Sequence, residues 1–193
     1  MSNSKTDRRI VRTKEAILNA FQELFLEKEF ERITINDIAD RANVNRATIY
    51  LHYMDKYDIF DQCVEDILNK MFISCAFSKT TQEKITSKDE AIAALTSLFD
   101  YIKDHHHFFS RILFDKTASF RNSLLKISKS TVQTQMNLQR INKEIDSELV
   151  TQYLASALVG TMEWWIRNDL LHAPPLMAQQ VYHLLVKNEV FTH

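Results

Sequence analysis

Hydrogen-bonding side chains recur at short intervals between residues 46 and 52. On a helix through this stretch, the outer face carries Arg46, Ala47, Thr48, Tyr50 and His52. The inner face would consist of Ile49 and Tyr53. Guanidinium, hydroxyl and imidazole groups bind phosphate oxygens and base edges, and a helix fits the major groove of DNA. The pattern therefore predicts a DNA-binding surface, against the alternative that Tyr50 and His52 are ordinary surface residues.

Two elements before this stretch are predicted to position it. Thr34 can cap a first helix, because Asp37 follows at the spacing of a capping box. The apolar residues of that helix share one face, formed by Ile35, Ile38, Ala39 and Ala42. Asn43 comes where the chain must turn, and asparagine tolerates the left-handed backbone conformation. Asn45 can then cap the second helix, so the segment reads as a helix-turn-helix whose second helix enters the major groove.

The residues of this helix-turn-helix divide by expected role. Arg46 and Ala47 are expected at base edges, since a guanidinium can pair with the two acceptors of guanine. Thr48 and Tyr50 are expected to bind phosphate. Lys56 begins the next helix, where a positive charge opposes the helix dipole, so we interpret it as a phosphate ligand acting with helix amide groups. The full set of predicted DNA-binding residues is Thr34, Asn45, Arg46, Ala47, Thr48, Tyr50, His52 and Lys56.

The same segment resembles the DNA-binding signature of the TetR family of bacterial transcriptional regulators. The matching positions are Thr34, Ile38, Ala39, Val44, Thr48, Ile49, Tyr50, His52, Tyr53 and Lys56. The chain departs from the family pattern at Asn43, Ala47 and Glu29, where glycine is usual or frequent. The resemblance implies a homodimer joined through its last two long helices. It also implies a second domain that commonly binds small apolar or amphipathic effectors.

A basic segment and a first helix precede the helix-turn-helix. Residues 1–14 carry five basic side chains against one acidic, a local net charge of +4. Such an arm contacts phosphates or reaches into a minor groove, and a solvated disordered tail over residues 1–7 is the alternative. An amphipathic helix is expected from Ile10 to Lys28, with Ile17, Phe21 and Leu24 on the face that packs on the two short helices.

Composition favours an all-helical fold. The 193 residues include one glycine and two prolines, with 45% hydrophobic and 25% charged residues. Loops must be short, and strands with glycine turns are not expected. We predict a helix-turn-helix DNA-binding domain over residues 8–54 and a regulatory and dimerisation domain of roughly six helices over residues 55–193. The net charge of −1 argues against a generally basic DNA coat.

Other classes of protein find little support in the sequence. There is no run of 18 apolar residues and no signal-peptide core, so we expect no membrane association. Cys63 and Cys75 fit a reducing cytoplasm. No glycine-rich phosphate loop, CxxC, HExxH or G-x-S-x-G occurs, so we expect neither an enzyme nor a cofactor. His105, His106 and His107 cannot all face one metal ion, because consecutive helical residues point about 100° apart, so we interpret them as a helix boundary without a metal.

The second half of the chain predicts further helices joined by short breaks. A polar loop over residues 78–87 is followed by helices near residues 88–103, 120–141, 147–171 and 176–190, with an aromatic and apolar stretch over residues 108–113. The stretch from Ile145 onward contains Gly160, Trp164, Trp165 and a proline before the last helix. It resembles the C-terminal regulatory domain of a TetR branch that includes regulators related to the dihydroxyacetone-kinase activator.

Two surfaces are predicted in this second domain. The candidate effector-pocket residues, each with plain core as the alternative, are Met71, Phe72, Phe99, Phe109, Phe114, Met136 and Trp164. The candidate dimer-interface residues are Leu154, Leu158, Gly160, Thr161, Trp165, Val181 and Leu185. A glycine inside a helix costs about 1 kcal/mol relative to alanine, so a close approach should compensate at Gly160. That approach would come from a second copy of the chain or from tight packing within one chain.

These features together predict a DNA-binding transcriptional regulator. The expected mechanism is repression from a palindromic double-stranded operator, relieved when a small-molecule effector tilts the helix that begins at Lys56 and changes the spacing of the two DNA-binding heads. The alternative is an activator controlled by a protein partner. An enzyme ranks third.

Overall fold

The computed structural model describes residues 3–75, 87–114, 119–135 and 145–187. Within these ranges the regular elements are all helices, which confirms the predicted all-α class. The described chain divides into two compact units between Asp66 and Ile67. Residues 78–86 of the loop predicted over 78–87, and residues 136–141 of the helix predicted over 120–141, lie outside the described ranges.

The first unit contains three helices, a short 3₁₀ helix and the beginning of a fourth helix. They are α1 (Asn3–Glu27), the 3₁₀ helix (Phe30–Arg32), α2 (Ile35–Arg41), α3 (Arg46–Tyr50) and α4 (Lys56–Ser74). Helix α1 begins seven residues before the predicted Ile10, so its backbone takes in part of the basic segment. Helix α1 packs on α2, and α2 packs on α3.

A cluster of phenylalanine rings forms the core of the first unit. The Phe60 ring lies 6.1 Å from Phe21, 5.7 Å from Phe25 and 5.2 Å from Phe30, measured between centroids. The four side chains are buried. Because Phe60 belongs to α4, the first part of this helix packs within the first unit, which is called the head below. The division between units therefore falls within α4, twelve residues beyond the predicted boundary after residue 54.

The second unit begins within α4 and contains five further helices in its described part. They are α5 (Lys88–Asp104), α6 (His106–Phe114), α7 (Ser119–Gln135), α8 (Ser147–Arg167) and α9 (Pro174–Lys187). Helix α5 packs on α9, while α6 and α7 pack on α8. The ring of Trp165 in α8 meets the ring of Phe99 in α5 edge to face, with centroids 5.1 Å apart. These contacts enclose one apolar core.

Local capping chemistry fixes the starts of α5 and α8 as predicted. The Ser87 hydroxyl accepts from the Glu90 N–H at 3.2 Å, and the Glu90 carboxylate accepts from the Ser87 N–H at 3.3 Å. The Asp146 carboxylate accepts from the N–H groups of Glu148 and Leu149, both at 2.9 Å. Each of these bonds satisfies an amide group that the helix itself leaves without a partner.

No helix in the described ranges combines the length and apolar character needed to cross a membrane.

Candidate nucleic-acid interface

A capping box and an ion pair fix the start of α2. The Thr34 hydroxyl accepts from the Asp37 N–H at 3.2 Å, and an Asp37 oxygen accepts from the Thr34 N–H at 2.8 Å, so the predicted box is confirmed. The same carboxylate lies 2.9 Å from the ammonium of Lys28, just after α1. The ammonium of Lys28 and the hydroxyl and N–H of Thr34 lower the pKa of Asp37 to about 2. The Asp37 carboxylate thereby joins the end of α1 to the start of α2.

A second ion-pair cluster holds the other end of α2 against α1. The Arg41 guanidinium donates to both oxygens of Glu27 at 2.8 Å and to Glu23 at 3.1 Å. The bidentate hydrogen bonds from Arg41 lower the pKa of Glu27. Planar guanidinium–carboxylate pairs constrain orientation as well as distance. Helix α2 is consequently held at both ends on the outer surface of α1.

The turn between α2 and α3 has the backbone geometry that the sequence predicts. Asn43 adopts a left-handed conformation with φ of 51°. The chain then returns so that the Val44 N–H donates to the Ala39 carbonyl at 3.0 Å. The Asn45 side-chain oxygen accepts from the Ala47 N–H at 2.8 Å and caps α3. The structure thus forms a helix-turn-helix with α3 as the second helix.

Helix α3 presents one face to the core and one to solvent. Ile49 in α3 and Tyr53, three residues beyond the end of α3, are buried, as predicted for the inner face. The side chains of Arg46, Ala47 and Tyr50 are exposed. Thr48 and His52 are half-buried at the edges of this surface. The outer face of α3 is therefore accessible to the major groove of DNA.

An interaction within α3 orients its largest polar side chains. The Arg46 guanidinium donates to the Tyr50 hydroxyl at 3.1 Å and lies 5.4 Å from the centre of the Tyr50 ring. The spacing of four residues places the two side chains on the same side of the helix. The guanidinium is held along the outer surface, and the bond to Tyr50 uses one of its five N–H donors. The predicted cap residues Thr34 and Asn45 use their side-chain oxygens within the chain but remain exposed at the same edge.

Lys56 is placed differently from the expectation of a phosphate ligand. Its ammonium donates to the carbonyl oxygens of Phe30, Glu31 and Ile33 at 3.1, 3.0 and 3.2 Å. An ammonium has three N–H donors, and three carbonyls from the 3₁₀ helix and its end receive them.

The amide groups at the start of α4 also have a protein partner. One oxygen of Asp55 accepts from the N–H groups of Tyr57 and Asp58 at 2.8 and 2.9 Å, as the predicted cap requires. A carboxylate thus lies where a phosphate would have to bind. Spacing along the chain could not show that the 3₁₀ helix ends against this position, so it could not reveal the role of Lys56.

Comparison with known proteins decides what kind of helix-turn-helix protein this is. Residues 14–63 match the family described as bacterial regulatory proteins, tetR family, and residues 89–187 match the transcriptional regulator C-terminal region. The chain belongs to the TetR family. TetR-family proteins are transcriptional regulators rather than enzymes, and the first unit of the chain is a helix-turn-helix DNA-binding domain.

Individual relatives agree with this placement. The HTH-type transcriptional repressor BepR of Brucella suis is 24% identical over 86% of this chain and 86% of its own length. The HTH-type transcriptional regulator YxbF of Bacillus subtilis is 24% identical over 92% of this chain, which spans 45% of YxbF. The solved structure of the dihydroxyacetone kinase operon activator DhaS matches 94% of this chain and 98% of DhaS with a TM-score of 0.68 at 17% identity.

The second unit of this TetR-family protein contains a small, mostly apolar cavity of about 10 Å³. Its walls come from α4 to α8, and its lining residues are Met71, Ile102, Phe109, Phe120, Leu124, Met162, Glu163 and Ile166. A volume of about 10–15 Å³ accommodates one water molecule, whereas pockets for drug-sized ligands measure about 300–1,000 Å³. The cavity is thus nearly closed in this conformation.

The predicted effector-pocket residues are only partly brought together. Met71 and Phe109 line the cavity, while Phe72 and Phe99 are buried elsewhere in the core. Phe114 is 69% exposed, and the Arg167 guanidinium lies 5.4 Å from its ring centre, so it belongs to the surface. Met136 lies outside the described residues. Trp164, the remaining member of the predicted set, is 44% exposed and lies outside the core.

The predicted dimer-interface residues are also divided between core and surface. Leu154, Trp165 and Val181 are buried within the single chain. The indole N–H of Trp165 donates to the His172 carbonyl at 3.0 Å, which satisfies its one polar group inside the chain. The adjacent tryptophans therefore have the reverse of their predicted roles, with Trp165 inside and Trp164 outside. Half-buried positions are found for Leu158, Gly160 and Thr161, while the side chain of Leu185 lies outside the described residues.

An exposed stripe follows α8 on the side away from its buried residues. Its exposed apolar members are Leu149, Tyr153, Ala157 and Trp164, and Gly160 lies between the last two. A Cβ atom added at Gly160 would meet no described atom of the chain within 4 Å. Tight packing within the described chain therefore does not explain this glycine. The broad apolar side of α8 contains both a core face and this stripe, and periodicity alone could not separate them.

The histidine triplet marks a helix boundary, as predicted. Helix α5 ends at Asp104 and α6 begins at His106. The His105 ring stacks on Tyr101 with centroids 4.1 Å apart, and His106 Nε2 lies 2.8 Å from the Ser110 hydroxyl. Among the described residues, no group of histidine, cysteine, aspartate or glutamate side chains is arranged to hold a metal ion.

Proposed function

We propose that this protein is a transcriptional repressor that binds a palindromic operator as a homodimer in the cytoplasm. The observation that carries this proposal is the outer face of α3, where Arg46 and Tyr50 are exposed while Ile49 and Tyr53 anchor the helix in the core. A recognition helix displayed in this way fits the major groove, and a two-fold symmetric dimer requires two related half-sites. BepR, a relative over most of both chains, is named as a repressor.

Activation is the second candidate, because the similar structure of DhaS is that of an operon activator. The two candidates share the same DNA-binding unit and differ in the effect of binding on transcription. In the activator alternative, a protein partner rather than a small molecule controls the bound dimer. Transcription from a promoter containing the selected operator, measured with and without the protein, separates them.

Selection of bound DNA from a random pool is the experiment that tests DNA recognition. The expected result is an inverted repeat whose half-sites lie about one helical turn apart, or a multiple of that spacing. Arg46→Ala, which alters the outer face alone, should lose the base preference at one position of each half-site. Lys103→Ala, which removes one positive charge at an exposed position of α5 in the second unit, should enrich the same half-site. A pool that yields no shared sequence would contradict the proposal.

The exposed stripe of α8 supports dimerisation through the last two helices. An apolar stripe that contains a tyrosine and a tryptophan, with a glycine whose added Cβ would meet no described side chain within 4 Å, is suited to contact with a second copy of the same helix. Exposed leucines at positions 176 and 184 extend apolar surface onto α9. Family members dimerise through these helices, and this surface would meet that need.

We further propose that the cavity of the second unit opens to bind an apolar effector carrying a positive charge. Methionine side chains at 71 and 162 line it, and their flexible thioethers can move aside at low cost. Glu163 is the charged member of the described lining, and its carboxylate pairs at 3.1 Å with the more exposed Arg121. A cationic headgroup can replace Arg121 at Glu163, whereas an anionic one would be repelled. Because Met71 belongs to α4, its displacement would act on the helix that also enters the head.

A pair of probes with the same tail tests this effector chemistry. Decylamine and decanoate carry opposite charges near neutral pH, and each is added to the operator complex below its micelle concentration. Decylamine should release DNA at lower concentration than decanoate. Glu163→Gln should remove the difference, and Lys88→Gln, at the start of α5, serves as the control. If neither probe releases DNA, the effector proposal fails while DNA recognition stands.

A further inference from the structure

Two large apolar side chains beside the recognition helix are exposed to an unusual degree. Met54 is 83% exposed and Leu51 is 78% exposed, the highest fractions among the large hydrophobic residues of the described chain. Single exposed apolar residues are common on protein surfaces. These two, however, lie within four residues of each other at the end of the DNA-binding helix. Their position raises the question of which of the two contacts DNA.

Leu51 extends the outer face of α3 by one position. Its backbone is helical, with φ of −74° and ψ of −20°, and it caps the C-terminal end of the helix. A helical residue covers the surface near the residue four positions earlier, which here is the exposed Ala47. Ala47 and Leu51 thus form an apolar stripe beside the polar stripe of Arg46 and Tyr50.

Met54 has a different placement. It follows the buried Tyr53, beyond the end of α3, and its N–H donates to the Asp58 carboxylate at 2.9 Å. That bond fixes its backbone in the cap of α4 rather than in the recognition helix. Met54 therefore offers a comparison for Leu51: it is equally exposed and nearby, but it does not continue the stripe of Ala47.

We propose that Leu51, together with Ala47, contacts the 5-methyl group of a thymine in the major groove and selects thymine at one position in each half-site. This inference rests on the proposed function. A leucine has no hydrogen-bonding group with which to read a base edge or hold a phosphate. The thymine methyl is the apolar feature that the major groove displays, and apolar side chains recognise it by contact. The stripe is continuous with the face of α3 proposed to enter that groove, so Leu51 and the methyl group lose exposure to water together.

Replacement of thymine by deoxyuridine tests the contact at the level of one methyl group. Deoxyuridine keeps every hydrogen-bonding group of thymine and lacks only the methyl. In the selected operator, each thymine is replaced singly in both half-sites, and binding is measured with the full-length protein. The unaltered protein should bind one such substituted operator about fourfold more weakly per half-site, the effect of losing one buried methyl contact.

The variants assign that effect to a side chain. Leu51→Ala should bind thymine and deoxyuridine operators equally, while Met54→Ala should keep the preference of the unaltered protein. Both positions are exposed, so both variants should have the unaltered thermal midpoint. Equal binding of all deoxyuridine operators by the unaltered protein would overturn the inference, as would an intact thymine preference in Leu51→Ala. In either of those cases specific DNA binding stands, whereas a protein with no specific site would remove the proposed function itself.

Discussion

The ammonium of Lys56 donates to the carbonyl oxygen of Phe30 at 3.1 Å and lies 4.7 Å from the centre of the same residue's ring. Two further carbonyls, from Glu31 and Ile33, complete its hydrogen bonds. The first residue of α4 therefore closes the exposed end of the 3₁₀ helix. A positive charge at a helix start is unfavourable by itself, and the three carbonyls with the aromatic face compensate for it. Lys56 thereby links the start of α4 to the 3₁₀ helix that precedes α2.

Replacement of Lys56 by methionine should destabilise the protein without changing the number of contacts that the protein makes to DNA phosphates. Methionine keeps the apolar stem that lies on Phe30 and removes the ammonium. Loss of charge-assisted hydrogen bonds should cost about 2 kcal/mol in the free energy of unfolding, measured by chemical denaturation. Lys103→Met, at an exposed position of α5, is the matched control.

The salt dependence of DNA binding distinguishes this role from a phosphate contact. Each phosphate contact contributes about 0.9 to the slope of log affinity against log salt concentration. Lys56→Met should leave that slope unchanged. A variant with ordinary stability and a slope reduced by about one per head would restore Lys56 as a phosphate ligand.

The Asp37 carboxylate should make the head less stable at acidic pH. Its pKa falls from 3.8 to about 2 in the folded protein, because Lys28 and Thr34 favour the charged form. The unfolded chain therefore binds the proton more readily. The stabilising contribution is complete above about pH 4 and is lost as pH falls through about 2.

The free energy of unfolding, measured between about pH 5 and 2, should show this loss. Asp37→Asn should reduce the slope of that free energy against pH. Asp40→Asn, on the same helix, should retain it. An unchanged slope in Asp37→Asn would place the acid sensitivity in other carboxylates. Glu27 is one of these, because hydrogen bonds from Arg41 lower its pKa.

Much of the head follows from short-range patterns in the sequence. The capping box of Thr34 and Asp37, the left-handed Asn43 and the cap by Asn45 each involve residues no more than three positions apart. Local chemistry determines such features, so a sequence can reveal them. The side chain of Lys56 instead reaches carbonyls more than twenty residues away. No spacing rule anticipates that contact.

The second unit shows the same limit more strongly. The apolar residues of α8 cover so much of its circumference that Trp164 and Trp165 are equivalent in pattern. Their difference depends on where α5 lies, since Phe99 packs against Trp165. Phe114 likewise belongs to an apolar run, yet α6 ends there and leaves its ring exposed. A cavity depends on five helices at once, which is why only two of the predicted pocket residues line it.

Arg46 should determine base preference rather than overall affinity. Its guanidinium is held on the outer face by the Tyr50 hydroxyl and retains donors for the two acceptors of a guanine. Arg46→Lys keeps the charge and loses the fork, so it should lose about 1–3 kcal/mol of discrimination at one base position per half-site. Its salt slope should equal that of the unaltered protein.

A panel of single-base operator variants at several salt concentrations measures both quantities. Arg32→Lys, at an exposed position of the 3₁₀ helix, serves as the control and should keep every base preference. A uniform loss of affinity in Arg46→Lys across the panel would identify Arg46 as a phosphate ligand and shift base reading to its neighbours on α3.

Two substitutions of Gly160 should have opposite effects on the chain and on its dimer. Within one chain an added Cβ meets no described atom within 4 Å, so alanine fits without strain. Alanine in place of a helical glycine should stabilise the folded chain by about 1 kcal/mol. If the exposed stripe of α8 meets its copy in a partner, however, leucine at the same position should overpack that contact and favour the monomer.

Sedimentation at micromolar concentration, with thermal unfolding of the same samples, separates the two effects. Gly160→Leu should sediment as a monomer and bind operator DNA weakly, because one head engages one half-site. Ser97→Leu, at an exposed position of α5, controls for the addition of an apolar surface residue and should remain a dimer. A Gly160→Leu protein that remains a dimer with unaltered operator affinity would place the interface elsewhere. In that case the open space beside Gly160 would be solvent, and the glycine would represent only a local loss of helix stability.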